Sequence, residues 1–230
     1  METKVEPGAP AVLTTPPMPI AEIVEASTTG LKAVARETFE PPAFGAFVRT
    51  TSDRRTTFAV VSRVEHASID PTRRAIPLGR TWEELRREQP QVLELLVTEF
   101  EALAVAFSEE GGGVNPYLPP VPPRVHDFVH PCSPEEIRAL TQDLTFIRTL
   151  AASGLPATDE LIAAAIREGA GARDDRRAFM LRAGREVADL CRQDYDQARS
   201  ILRRLGMRVA GDGVERTPPD RVAIRKESDK

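Results

Sequence analysis

The chain is poor in the residues that mark familiar catalytic and secreted proteins. Only two cysteines, Cys132 and Cys191, occur among 230 residues. They lie too far apart to suggest a disulfide framework, and reduced cytoplasmic thiols are the simplest reading. No glycine is followed by lysine, which excludes the phosphate-cradling GxxxxGK[ST] loop. Gly111 to Gly113 make a flexible joint without the lysine and hydroxyl that an NTPase needs. GxGxxG, GxSxG and HExxH are missing as well. No apolar run is long enough to span a bilayer, and METKVEPGAPAVLTTPPMP lacks the apolar core of a signal peptide. Bulk positive charge is absent too, with 31 Lys and Arg against 35 Asp and Glu, a net of −4. Strong DNA binding through overall charge is therefore excluded. The expectation is a soluble cytoplasmic protein that needs no cofactor and does not hydrolyse nucleotide.

What is present is 41% hydrophobic content, enough for one domain or two small ones with a real core. Twenty prolines and 14 glycines punctuate it unevenly. Residues 1–17, rich in proline, threonine and alanine, read as a disordered arm, and residues 208–230 as a flexible polar tail. Between them, residues 18–131 carry short segments rich in β-branched and aromatic residues: IAEIVEAS, LKAVARETF, FGAFVRT and TTFAVVSRVEHASI. Their breaks, TTG, EPP and SDRR, have turn compositions. Strands of this length and spacing predict a small antiparallel barrel. Helices are predicted within residues 81–97. Thr81 and Glu84 suit a capping box, Trp82 and Leu85 face inward, and Pro90 opens a second short helix. TEFEALAVAF is a further strand, SEEGGGVNPYLPPVPP a hinge-like segment, and RVHDFVH the last strand.

Residues 132–207 read as a helical bundle. CSPEEIRALTQDLTFIRTL opens with Ser133 as cap, Pro134 in the first turn and Glu136 as the return partner, and its apolar stripe runs from Ile137 to Leu150. TDELIAAAIREG is predicted to stop at Gly169. One long helix is predicted from about Asp174 to Leu205, with paired aspartates at its positive end. The fold class is thus α+β, a small N-terminal antiparallel β-barrel followed by a C-terminal helical bundle.

Candidate chemistry is sparse. In HDFVHPC, strand geometry puts His126, Phe128 and His130 on one side with Cys132 near that line. The two histidines would then stand about 13 Å apart, too far to share one ion. The expected arrangement is Val125 and Val129 buried with the histidines outside, and no metal site. A hydrolase using His126, His130 and Asp127 would depend on such a metal. The carboxylate pairs Glu83–Glu84, Glu135–Glu136 and Asp174–Asp175 fall at helix starts, where capping is the expected role. Cys191, on an apolar helix face, is a packing residue. The chain is expected not to be an enzyme.

The arginines carry the one positive signal. Between Arg49 and Arg80 stand seven arginines against three acids, Asp53, Glu65 and Asp70, a local net of +4. Arg54 and Arg55 fall in one predicted turn and Arg73 and Arg74 in another, after Pro71. Guanidinium forks suit carboxylate or phosphate. These four residues are the candidate contacts for a protein partner or for DNA, against the plain alternative of solvated charged loops.

IAEIVEASTTGLKAVARE, PPAFGAFVRT, FAVVSRVEHASIDPTRRAIPLGR and YLPPVPPRVHDFVHPCSPEE together resemble the HAS-barrel proteins. These are named for the barrel shared by HerA-type DNA-translocating ATPases and ATP synthase subunits. The helical part after PCSPEE resembles that of stand-alone bacterial members. In the family the barrel heads a hexameric RecA-like motor, and in HerA-type motors it docks the NurA nuclease for DNA end processing in double-strand-break repair. This chain lacks the motor's Walker loop. The resemblance therefore implies a non-catalytic adaptor whose partners are a HerA-like hexameric ATPase, a NurA-like nuclease or both, with DNA contacted through the complex. The alternative is a barrel that binds nucleic acid by itself.

Overall fold

Six antiparallel strands close into a barrel in a computed structural model that describes residues 18–70, 72 and 75–207. They are β1 (Ala21–Ala26), β2 (Gly30–Ala35), β3 (Phe47–Ser52), β4 (Arg55–Ser68), β5 (Leu96–Glu109) and β6 (Phe128–Pro131). The strand order around the barrel is β1-β2-β5-β4-β3-β6. Each strand segment expected from the sequence contributes one of these strands. The arm at 1–17, the tail at 208–230, and Pro71, Arg73 and Arg74 lie outside the described residues.

Closure needs one very close approach. Gly30 pairs with Leu103, and a Cβ at Gly30 would sit 2.5 Å from the Ala102 carbonyl oxygen. The interior is filled by small and branched side chains around Phe100, among them Ile23, Val48 and Val61. On β4 the run Phe58-Ala59-Val60-Val61 is buried throughout. Successive strand residues point to opposite faces. Ala59 and Val61 therefore fill the barrel while Phe58 and Val60 face outward, against the helices.

Those helices are α3 (Pro134–Leu140), α4 (Thr145–Ala151), α5 (Thr158–Gly171), α6 (Arg176–Leu190) and α7 (Tyr195–Arg204). Ser133, Pro134 and Glu136 form the expected capping box. The apolar stripe from Ile137 to Leu150 is buried as predicted, but it runs through two helices. Thr141, fully buried, donates its hydroxyl to the Ile137 carbonyl, Leu144 adopts a left-handed φ of 62°, and Asp143 accepts from the Thr145 N–H. Side-chain bonds of this kind compete with the helical ladder.

The long helix is likewise two. It breaks after Leu190 and restarts when Asp194 accepts from the Gln197 N–H as a cap. Asp175 caps α6 in the same way through Ala178. Gly169 is not a stop: α5 runs on to Gly171, and Phe179 packs against the bare Cα side of Gly169. A Schellman ending closes α7, with Met207 N–H bonded to Leu202 C=O across Gly206 at φ 72°.

Between β4 and β5 stand two short helices, α1 (Trp82–Glu88) and α2 (Pro90–Leu93). The expected insertion over 81–97 is shorter than predicted, because β5 begins at Leu96. The Thr81–Glu84 capping box forms. Neither helix buries a residue, so Trp82 and Leu85 do not face a core. RVHDFVH is strand only from Phe128. His126, at φ 75°, belongs to the preceding turn, and Val125 is exposed.

The barrel and the helices share one apolar cluster, in which Phe47 meets Phe146 edge-on at 5.6 Å between ring centres. Gly45 controls the approach. Its φ is +85°, its N–H donates to Val61 C=O, and a Cβ there would lie 2.4 Å from Ala164 Cβ and 2.9 Å from the Ala164 carbonyl carbon. Gly45→Ala should therefore lower the unfolding free energy by about 2 to 4 kcal/mol, measured by urea denaturation. Gly79→Ala, at φ +65° with open space around it, should cost only about 1 to 2 kcal/mol, because it carries the backbone strain without the collision.

Candidate interaction surfaces

The arginines of residues 49–80 are placed by the barrel's register. Asp53 and Arg54 form the two-residue turn joining β3 to β4, with Asp53 at a left-handed φ of 54°. Arg55 is not in that turn but begins β4, where it pairs with Glu109 across the sheet. Its guanidinium lies 2.7 Å from the Glu109 carboxylate and over the Phe107 ring. Arg54 reaches Glu110 at 3.4 Å on an open surface. Arg63 contacts Glu65 and Glu101, Arg49 contacts Glu136 at 3.0 Å, and Arg80 contacts Glu88.

All five described arginines of this stretch are thus matched by carboxylates. The local excess of positive charge is cancelled in space by acids of β4, β5, α1 and α3 and by Glu110 just past β5. Exposed pairs of this sort contribute at most about 1 kcal/mol each. Arg73 and Arg74 lie outside the described residues. The candidate residues Arg54 and Arg55 form one edge of the barrel, with their charge largely engaged.

The histidine segment also disperses. His126 Nδ1 is 2.6 Å from the Glu22 carboxylate, while His130 pairs with Arg49 in the β3–β6 ladder. Among the described residues no three His, Cys, Asp or Glu side chains converge as a metal-ligand set. The carboxylates at helix starts are engaged by backbone: Glu84 and Glu136 accept from the cap N–H groups, and Asp175 and Asp194 from the first turns. Cys132 lies where β6 leads into α3, and its thiol is pushed well above its ordinary range, chiefly by burial and next by the Glu136 carboxylate. Cys191 is raised as well, by burial and then by Asp159 and Asp194.

The surface that sequence reasoning missed is apolar. At the far end of β4 and β5 the two strands pair only with each other, from His66–Thr98 to Ser68–Leu96, and α1 and α2 sit across this arm. A T-shaped Trp82–Phe39 contact and a tilted Phe39–His66 contact hold α1 in place, with ring centres 4.7 and 4.8 Å apart. Phe39 has a left-handed φ of 74° and donates its N–H to the buried Thr98 hydroxyl, which also sits 2.8 Å from His66 Nδ1. Between the helices and the arm opens a groove of about 640 Å³. Its walls include Ile76, Leu78, Trp82, Leu85, Leu93 and Leu95, and Ser68 and Arg80 alone among its lining residues are polar. Ile76 is 74% exposed and Leu95 54%. The signal for it was Ile76, Leu78, Trp82 and Leu85 around helices too short to bury two faces.

Among the described residues no helix is long and apolar enough to cross a membrane. No protein-family model matches this chain, and no curated protein matches it. Since both thiol pKa values are raised, the thiolate fraction at mildly alkaline pH is small. Native protein should therefore react with a disulfide reagent at least about tenfold more slowly than an unfolded control, with both thiols titrating once denaturant is added.

Proposed function

We propose that this protein is a non-catalytic assembly module, a HAS-like barrel with a helical bundle behind it, that works in the cytoplasm by docking onto other machinery. The apolar groove on the β4–β5 arm carries this reading. Its side chains are large, contiguous and open to water, and such patches mark sites where a partner covers the surface. The groove is fixed by the Trp82–Phe39–His66 stack and a complete helix cap, so little ordering entropy is lost on binding. The helices cover β4 around Phe58 and Val60, eight residues and roughly 25 Å along the strand from Ser68. Among the described residues the helices thus leave the groove open.

The resemblance to HAS-barrel proteins names the partners to try: a HerA-like hexameric ATPase and a NurA-like nuclease, in DNA end processing. The non-catalytic reading is supported by the engagement of one carboxylate of each pair, Glu84, Glu136 and Asp175, at a helix cap, and by the raised thiol pKa values. The alternative, a barrel that binds nucleic acid alone through Arg54, Arg55, Arg73 and Arg74, is weakened at Arg54 and Arg55 by their pairing with Glu110 and Glu109, while Arg73 and Arg74 lie outside the described residues.

The test is reconstitution with the HerA-like ATPase and the NurA-like nuclease of the same genome, read by size-exclusion chromatography with light scattering. A complex is expected, and Ile76→Asp or Leu95→Asp should weaken it at least about tenfold. Both positions are exposed, so melting temperatures should stay near the wild-type value. The reading is overturned if neither protein associates, or if the complex forms equally well with both variants.

A further inference from the structure

The helices carry a second charged surface, where Arg173 and Arg182 are not matched by carboxylates. Arg173 follows α5. Its guanidinium donates to the Gly169 carbonyl at 2.6 Å and to the Arg138 carbonyl at 3.0 Å. Arg138 reciprocates toward the Ala172 carbonyl at 2.8 Å and takes Glu135 as its acid. Arg182, nearly two turns into α6, donates to the Thr141 carbonyl. Arg173 and Arg182 both approach the Phe179 ring, with 4.1 and 5.6 Å between guanidinium carbon and ring centre.

Among the described residues neither Arg173 nor Arg182 has a carboxylate within ion-pair distance, and the charges that act on Arg173 are the cationic Arg182 and Arg138. Burial first, and next the repulsion of Arg182 and Arg138, hold the Arg173 pKa below its ordinary value. Each guanidinium is anchored by carbonyls yet keeps donors to spare, since the group has five and these bonds use one or two. Two adjoining hollows open here, both bordered by Arg173 and Asp175, of about 250 Å³ toward Arg182 and about 520 Å³ toward Arg138. The acids at the rim are Asp174, Asp175 and Glu135. Asp175 is occupied by the Ala178 N–H and Glu135 by Arg138.

The row continues along α6. Arg177 and Arg185 are exposed and unpaired among the described residues, and at 100° per residue they share with Arg182 a sector of roughly 140°. Arg177 to Arg185 spans about 12 Å of helix. A single phosphate needs a pocket, whereas a row of cations on an open face suits an anion that repeats.

We propose that Arg138, Arg173 and Arg182, extended by Arg177 and Arg185, bind the phosphate groups of a nucleic-acid backbone. The site lies on the helices, away from the apolar groove, and does not depend on the docking partner. It reads no sequence, because phosphates position a protein on nucleic acid and base edges specify it. An acidic protein with one such face binds through local charge, so its affinity falls steeply with salt.

The test is fluorescence anisotropy of labelled single- and double-stranded oligonucleotides with the full chain, across about 50 to 200 mM salt. Arg182→Gln should weaken binding about tenfold and lower the salt slope by about one. Arg177→Gln with Arg185→Gln should act in the same direction. Arg182 and Arg185 are exposed, so folding, checked by circular dichroism, should persist. Inorganic phosphate should compete only at concentrations far above those of the oligonucleotides. Ile76→Asp should leave oligonucleotide binding unchanged, which separates this site from the groove. The proposal fails if no binding is seen at low salt, or if Arg182→Gln binds within twofold of wild type. It also fails if inorganic phosphate binds as tightly as the oligonucleotides, or if Arg73→Ala and Arg74→Ala abolish binding that Arg182→Gln retains.

Discussion

The stretch of barrel wall formed by Phe47–Val48 of β3, Phe58–Val61 of β4 and Ala104–Ala106 of β5 is buried on both faces, and the rest of the molecule follows from that. Inside, Ala59, Val61 and Phe100 close the barrel; outside, Phe47, Phe58 and Val60 receive the helices. A barrel this small cannot widen to accept larger inner side chains, which is why alanines stand beside Phe100. The outer face is held to similar tolerance by Gly45, whose missing Cβ lets the alanine run of α5 come up to the barrel. A change on either face is transmitted through one layer of strand, so the helices and the barrel are energetically coupled.

The same register distributes charge. Antiparallel pairing sets Arg55 opposite Glu109 and Arg63 opposite Glu101, so charges remote in sequence become cross-strand neighbours. The arginine-rich stretch is thereby made electrically quiet. The helical arginines have no such partner strand. Arg173 and Arg182 spend donors on the carbonyls at helix ends, which anchors the guanidiniums but leaves their charge without a paired carboxylate. Where a protein leaves charge unmatched matters more than how much charge a stretch of sequence contains.

Most of the barrel was legible in the sequence, since β-branched runs separated by SDRR, TTG and EPP specify strands through local chemistry alone. The capping boxes at Thr81 and Ser133 were legible for the same reason. The helix breaks were not. The apolar rhythm from Ile137 to Leu150 continues through Thr141–Leu144 without losing a beat, and no glycine or proline marks the interruption. Asp143 and Asp194 were the available signals, each an acceptor standing just before a helical first turn. The arginine pairing could not be read because Arg55 and Glu109 are 54 residues apart. The helical arginines were hidden by their sequence neighbours: Asp174 and Asp175 make the stretch look balanced, although Asp175 is engaged as a cap.

The groove and the arginine row differ in what they can recognise, and that difference constrains any joint role. An apolar groove on a rigid arm gains from excluding water, with little dependence on ionic strength, and suits a lasting protein contact. A row of guanidiniums gains from releasing counterions, so its grip is loosened by salt and is indifferent to sequence. On the functions proposed above, the first would set where the module sits and the second would let nucleic acid pass along it. A sequence-blind contact of modest strength is the kind that a translocating machine can tolerate, because base-specific bonds would have to be broken at every step. The barrel would then serve as the rigid spacer between a fixed attachment and a sliding one.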